Sequence, residues 1–353
     1  MLASADRRTT RRAVGATLAA LSDRRLTGLL AGARPLGTGI GGQTVLMDVA
    51  DTPVFVKRVP LTDLELRPEN LRSTANLFGL PTFCQYGLGS PGFGAWRELA
   101  AHVMTTEWVL GGDCAGFPVM YHWRVLPEPG GRPLPDELAD VEAAVGFWHG
   151  SPAVRERVDA IRRSTASLVL FLEYLPWTVH DWFAARLAEG AVEDAAAMLA
   201  RELSVTTSFM ESRGLLHFDA HFENVLTDGA RLYFADFGLA TSSRFDLDPE
   251  EDAFLRHHRG YDRRYTATHL AYRLAGTLTG DRVDLIRACA EGTVPDGAGP
   301  QVTELLIRHS PVAAVLTDFF DALRGESRAT PYPAEAARRA DRTRSQTEAT
   351  SEA

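Results

Sequence analysis

The chain has 353 residues, 45% of them hydrophobic and 24% charged, enough for two lobes with real cores. A net charge of -9 and a pI near 5.6 argue against a nucleic-acid partner, which calls for a concentrated basic face. Three cysteines, Cys84, Cys114 and Cys289, show no C-x-x-C spacing, so neither a disulfide framework nor a zinc site is indicated and a reducing cytoplasm fits.

Residues 1–33 read as an N-terminal helical extension, with Val14, Leu18, Leu21, Leu26, Leu29 and Leu30 near helical spacing. The apolar stretch from Ala13 to Leu21 is too short and Ala-rich for an export signal, and no run approaches the length of a membrane span. Gly37-Thr38-Gly39-Ile40-Gly41-Gly42 satisfies G-x-G-x-x-G at Gly37, Gly39 and Gly42. As a dinucleotide-binding fingerprint it requires a helix straight afterwards. Two strand-like runs follow instead, Gln43 to Val49 and Val54 to Val59.

The second run carries Lys57, the one lysine among 37 Lys+Arg, so 36 basic positions accept a guanidinium and this one keeps a compact ammonium. Residues 60–94 have no clean period and read as an irregular insertion. Ala95 to Val109 reads as a helix, Pro118 to Leu126 and Ser167 to Pro176 as strands, and Asp136 to Trp148 with Val154 to Ala166 as helices of a second insertion, 127–166.

Helices are predicted over Val179 to Leu187 and Ala191 to Arg213, the latter closed by Gly214. After Asp248, an N-cap before Pro249, helices are expected at Asp262 to Leu278, Asp281 to Ala290, Gln301 to His309 and Val312 to Leu323. The polar segment 325–353 reads as a disordered tail or frayed helix.

Between these helices lies His217 to Gly238, the stretch that names a chemistry. Asp219 precedes Asn224 by five positions, and after a hairpin turning at Asp228-Gly229 comes Asp236-Phe237-Gly238. Phosphoryl transfer needs Mg2+ held against phosphates and an acceptor hydroxyl held in line, and a carboxylate with an amide oxygen are suitable hard ligands for Mg2+. Asp236 and Asn224 are the expected metal ligands, leaving Asp219 to orient the acceptor and take its proton.

His217, Asp219 and Asn224 match H-x-D-x-x-x-x-N, and Asp236-Phe237-Gly238 matches D-F-G. In both the chain resembles the protein-kinase-like superfamily. The resemblance spans roughly Pro35 to Leu278. It implies an α+β, two-lobed protein-kinase-like fold, with an antiparallel sheet and one helix in an N-lobe at 34–175 and a mainly helical C-lobe at 176–324.

It also implies ATP and Mg2+ as cofactors. Gly37, Gly39, Gly41 and Gly42 would close over the phosphates while Lys57 reaches the α and β phosphates. Lys57 would pair with Glu98, with Glu107 as the rival. The backbone at Glu173, Tyr174 and Leu175 would meet the adenine edge.

The implied activity is an ATP- and Mg2+-dependent kinase acting on a hydroxyl of a protein or small molecule, with no nucleic-acid or membrane partner. An atypical protein Ser/Thr acceptor is marginally favoured. Phe218, where many protein kinases carry arginine, and the absence of A-P-E depart from that pattern. His221, completing H-x-D-x-H, resembles the aminoglycoside and choline kinases. A nucleotide-binding regulator without catalysis and an NAD-binding module are the readings of other classes.

Overall fold

The computed structural model describes residues 4–39, 42–128 and 134–342. The chain runs α1 (Ser4–Ala19), α2 (Asp23–Ala31), β1 (Arg34–Gly39), β2 (Gly42–Val49), β3 (Thr52–Leu61), α3 (Ala95–Gly111), β4 (Met120–Pro127), α4 (Asp136–Ala139), α5 (Val141–Phe147), α6 (Pro152–Arg163) and β5 (Ala166–Glu173). It continues with β6 (Trp177–Thr178), α7 (Val179–Ala188), α8 (Val192–Ser212), β7 (Leu215–Leu216), β8 (Val225–Thr227), β9 (Leu232–Phe234), β10 (Thr241–Ser242), α9 (Pro249–His257), α10 (Tyr261–Ala275), α11 (Arg282–Ala290), α12 (Pro300–Gly325) and α13 (Ala334–Arg342). The architecture is α+β.

These elements form two compact units. The first takes the chain up to Pro176 together with His217–Asp219 and Tyr233–Ala253, and the second takes Trp177–Leu216, Ala220–Leu232 and the chain from Phe254 onward. Segment 233–253 is drawn into the first unit by Thr74 Oγ1 accepting from Asp246 N (2.9 Å), by Arg97 pairing with Glu251 (2.7 Å), and by Gln85 donating to Leu239 O.

The first unit is built on a five-stranded antiparallel sheet in the order β1-β2-β3-β5-β4. Its interior strand β5, between β3 and β4, is buried along Ala166–Leu172, so it is an unbroken apolar run without the alternation of a half-exposed strand. Leu168, Leu170 and Leu172 pack with Val59, Leu61, Ala95, Trp96 and Leu99, seating α3 on the sheet. Gly112, at φ 84°, ends α3 in a left-handed cap.

The N-terminal extension is two helices, because Ser22 accepts the Arg25 N–H at 3.3 Å and starts α2 afresh. Helix α1 lies along β4 so closely that a Cβ on Gly15 would meet Tyr121 O at 2.8 Å.

The two insertions pack on each other. Phe78, Leu80, Cys84 and Phe93 of the first share one core with Leu138, Trp148, Val154 and Val158 of the second. Buried Glu65 binds this arrangement, accepting from Ala95 N (2.7 Å), Thr62 N (3.0 Å) and Arg157 Nη1 (2.9 Å).

The second unit is helical apart from short strands such as β6, which pairs antiparallel with β8. Two expectations are corrected here. The predicted helices on either side of Pro311 are one helix, α12, because Val302, Leu305, Leu306, Val312, Ala313 and Leu316 are buried on both sides of the proline. That continuous burial, about 1.5–3 kcal/mol per large apolar side chain, outweighs the roughly 3 kcal/mol of an interior proline.

The expected disorder from residue 325 does not hold over 334–342. Helix α13 buries Ala334 and Ala337 and anchors Asp341 to Arg264 at 2.8 Å. Residues 343–353 lie outside the described residues.

Candidate active site

Strand β3 places Lys57 opposite Thr44 of β2 and Leu170 of β5, its side chain running beneath α3. The ammonium is 4% exposed and is shared by two carboxylates, Glu98 Oε1 at 2.6 Å and Asp236 Oδ1 at 2.7 Å. Glu98, and not Glu107, is its partner on α3.

Burial alone pushes the Lys57 ammonium towards neutrality, and Asp236 and Glu98 more than reverse this, holding it charged above its ordinary range. Burial, reinforced by Asp236, pushes Glu98 up to about 7 despite Lys57. Burial also raises Asp236, but Lys57 and the Gly238 N–H dominate and bring it down to about 2. Asp236 keeps 41% of its side chain exposed, so this carboxylate remains ionised and open to a ligand.

Asp236 adopts φ 60°, a left-handed conformation costly for a non-glycine residue. Two neighbours hold it there. Gly238 N donates to Asp236 Oδ1 at 3.3 Å, and Phe237 is fully buried with its ring 5.0 Å from His102 and 5.1 Å from His217.

His217 is also fully buried. Its Nε2 lies 2.8 Å from Ala235 O, which only accepts, so Nε2 carries the proton and Nδ1 accepts the Asp219 N–H at 3.3 Å. His217 therefore positions Asp219 through the backbone. Phe218 takes φ 64° and is fully buried. An apolar side chain suits this site, and a guanidinium here would be desolvated.

Asp219, Asp236 and Glu98 line one cavity of about 130 Å3 within the first unit. Among the described residues the glycines that line it are Gly87, Gly89, Gly92, Gly94 and Gly238, and not Gly37 or Gly42; the expected places of Gly39 and Gly41 at the site lie outside what is described. Gly42 has a structural reason of its own, since at φ 118° a Cβ there would fall 2.0 Å from Arg58 O.

Gly87-Leu88-Gly89-Ser90-Pro91-Gly92 also satisfies G-x-G-x-x-G and leads directly into α3. This was the missed signal, hidden in the insertion read as irregular. Gly89, Gly92 and Gly94 take positive φ (78°, 70° and 138°), and Gly87 lies so near Asp219 that a Cβ would meet Oδ1 at 2.1 Å.

Asn224 and His221 belong to the second unit. Asn224 N donates to His221 O at 2.9 Å in the turn before β8, and His221 Nδ1 lies 2.8 Å from Glu223 Oε2. The Glu173 N–H donates to Val119 O at 2.9 Å. Its carboxylate accepts from Val119 N at 3.0 Å and pairs with Arg7 of α1. Tyr174 and Leu175 follow β5 directly.

Among the described residues no cluster of three or more His, Cys, Asp or Glu side chains is arranged to hold a metal. No protein-family model matches this chain, and no curated protein matches it.

Proposed function

We propose that this protein is an ATP- and Mg2+-dependent phosphotransferase with a two-lobed protein-kinase-like fold, passing the γ-phosphoryl group to a hydroxyl. The observation that carries the reading is Lys57, a buried ammonium bridging Glu98 and Asp236 beside a cavity that Asp219 also lines. A structural ion pair has no need of the second, half-exposed carboxylate, whereas a phosphate site needs both a fixed ammonium and an open hard ligand.

In this reading Lys57, steered by Glu98, donates to phosphate oxygens, and Asp236 would hold the metal. Bound Mg2+ supplies charge neutralisation at the phosphates. Asp219, fixed by His217, orients the acceptor hydroxyl and takes its proton.

The strand β2 that follows Gly42 speaks against the NAD-binding alternative, which requires a helix there. A protein hydroxyl remains slightly ahead of a small molecule as acceptor. No helix among the described residues is long and apolar enough to cross a membrane. A cytoplasmic setting belongs to the same proposal.

The test is Mg2+-dependent ADP formation from ATP by the full chain. Asp219→Asn and Asp236→Asn should abolish it while Asp219→Asn still binds nucleotide. Turnover that survives Asp219→Asn would remove this reading, and nucleotide binding without turnover in the wild type would favour the non-catalytic regulator.

A further inference from the structure

The loop that lines the cavity also carries a hydroxyl. Among the described residues lining it, Ser90 is the one that bears a hydroxyl, and it is 5% exposed. Its Oγ accepts the Gly92 N–H at 3.2 Å, which fixes the oxygen in the tight turn between Gly89 and Gly92. Arg157 Nε, donating to Gly92 O at 3.2 Å, ties that turn to α6.

Three residues earlier the backbone of Gly87 rests against Asp219, so the loop and the carboxylate that accepts the proton are in direct contact. The cavity, about 130 Å3, is well below the roughly 300–1,000 Å3 of ordinary small-molecule pockets. It has room for a phosphoryl group beside Ser90.

We propose that Ser90 is a phosphorylation site that the chain modifies in cis, as the first acceptor of its own phosphoryl transfer. This rests on the phosphotransferase reading and names the acceptor that the resting cavity presents. In the step, a bond forms between Ser90 Oγ and the γ-phosphorus of ATP while the bond from that phosphorus to the β,γ-bridging oxygen breaks. ADP leaves with the electron pair, and the serine proton passes to Asp219 and then to water.

The product places a group of about -1.5 to -2 charges beside Asp219 and Asp236. Repulsion from these two carboxylates then disfavours a second event in the closed cavity, so the reaction stops at one phosphoryl group per chain.

The experiment incubates the full chain with Mg2+ and ATP and follows ADP, intact mass and Arg-specific peptide maps. Fragmentation resolves Ser90 from the other hydroxyls of the Ser73 to Arg97 peptide. The expected result is one added phosphoryl group at Ser90, formed at a rate per chain that is unchanged by tenfold dilution and absent in Asp219→Asn. Ser90→Ala should lose that mass increment, and its thermal melt reports whether it is folded.

ADP formation, or phosphate on other residues, with an unmodified Ser90 overturns the assignment and leaves the phosphotransferase reading standing. A rate per chain that rises in proportion to protein concentration overturns the cis step. Neither ADP nor any phosphorylation under these conditions overturns both.

Discussion

Gly87 and Asp219 are in steric contact: a methyl group on Gly87 would sit 2.1 Å from Asp219 Oδ1 and 2.8 Å from its Cγ. Gly87 is not at positive φ, so the missing side chain is required by space and not by backbone conformation. Gly87→Ala is expected to displace the carboxylate and lower Mg2+-dependent ADP formation by about 10²-fold, the effect of roughly 1 Å of misplacement at a reacting group. Gly89→Ala is the control, since it has open space but φ 78°. It should cost about 1 kcal/mol of stability with a much smaller effect on rate. Urea melts and initial rates of the two variants check this.

Lys57→Arg keeps the charge but replaces a compact ammonium by a planar fork in a space where Glu98 and Asp236 approach one nitrogen at 2.6 and 2.7 Å. Turnover should fall by about 10²-fold or more, and Tm should fall as well, because the broader group is forced into a buried site. Unchanged kinetics would make the lone lysine an accident of composition.

Arg97 and Glu251 form a pair 2.7 Å apart with side chains 2% and 6% exposed. Removing one partner strands a buried charge, so Arg97→Ala should destabilise by about 3–5 kcal/mol in denaturant titration. Arg97→Met combined with Glu251→Leu should cost much less than the single change. Losses of equal size in the single and double variants would show that packing around Phe93 and Phe245, which Arg97 covers, outweighs the charge.

Acid should loosen the protein before ordinary carboxylates titrate. Burial holds His102 and His258 down to about 3 and His269 down to about 4, so the folded state keeps these rings neutral where the unfolded chain protonates near 6.5. The unfolded state then binds more protons, and stability present above about 6.5 is lost as pH falls towards 4 and 3. Glu98, raised to about 7, works oppositely, favouring the folded state below about 7, but it is one group against three. Tm is therefore expected to fall from pH 7 to pH 5. His258→Phe, retaining a ring between Phe254 and Tyr332, should make that fall shallower.

What the sequence revealed and what it concealed divide along the same physical line. Lys57, Asp219 and Asp236 were legible because their chemistry and order are local. Glu98 against Glu107 required the phase of α3: nine residues apart at about 100° each, the two carboxylates point to opposite faces, and only the face on β3 reaches Lys57. The Gly87–Gly92 turn satisfied a visible pattern, but its meaning lies in contact with Asp219, far along the chain. The continuity of α12 through Pro311 and the anchoring of α13 were hidden because tertiary burial overrode local breakers.

Lys57 is also the only side-chain amine in the chain, and the fold keeps it protonated and sealed. Acylating reagents should therefore find no reactive side-chain amine on the closed molecule, whatever they do at the amino terminus. Each Lys57 adduct would record a moment when strand β3 and helix α3 parted, giving this protein a built-in, single-site clock for its own opening.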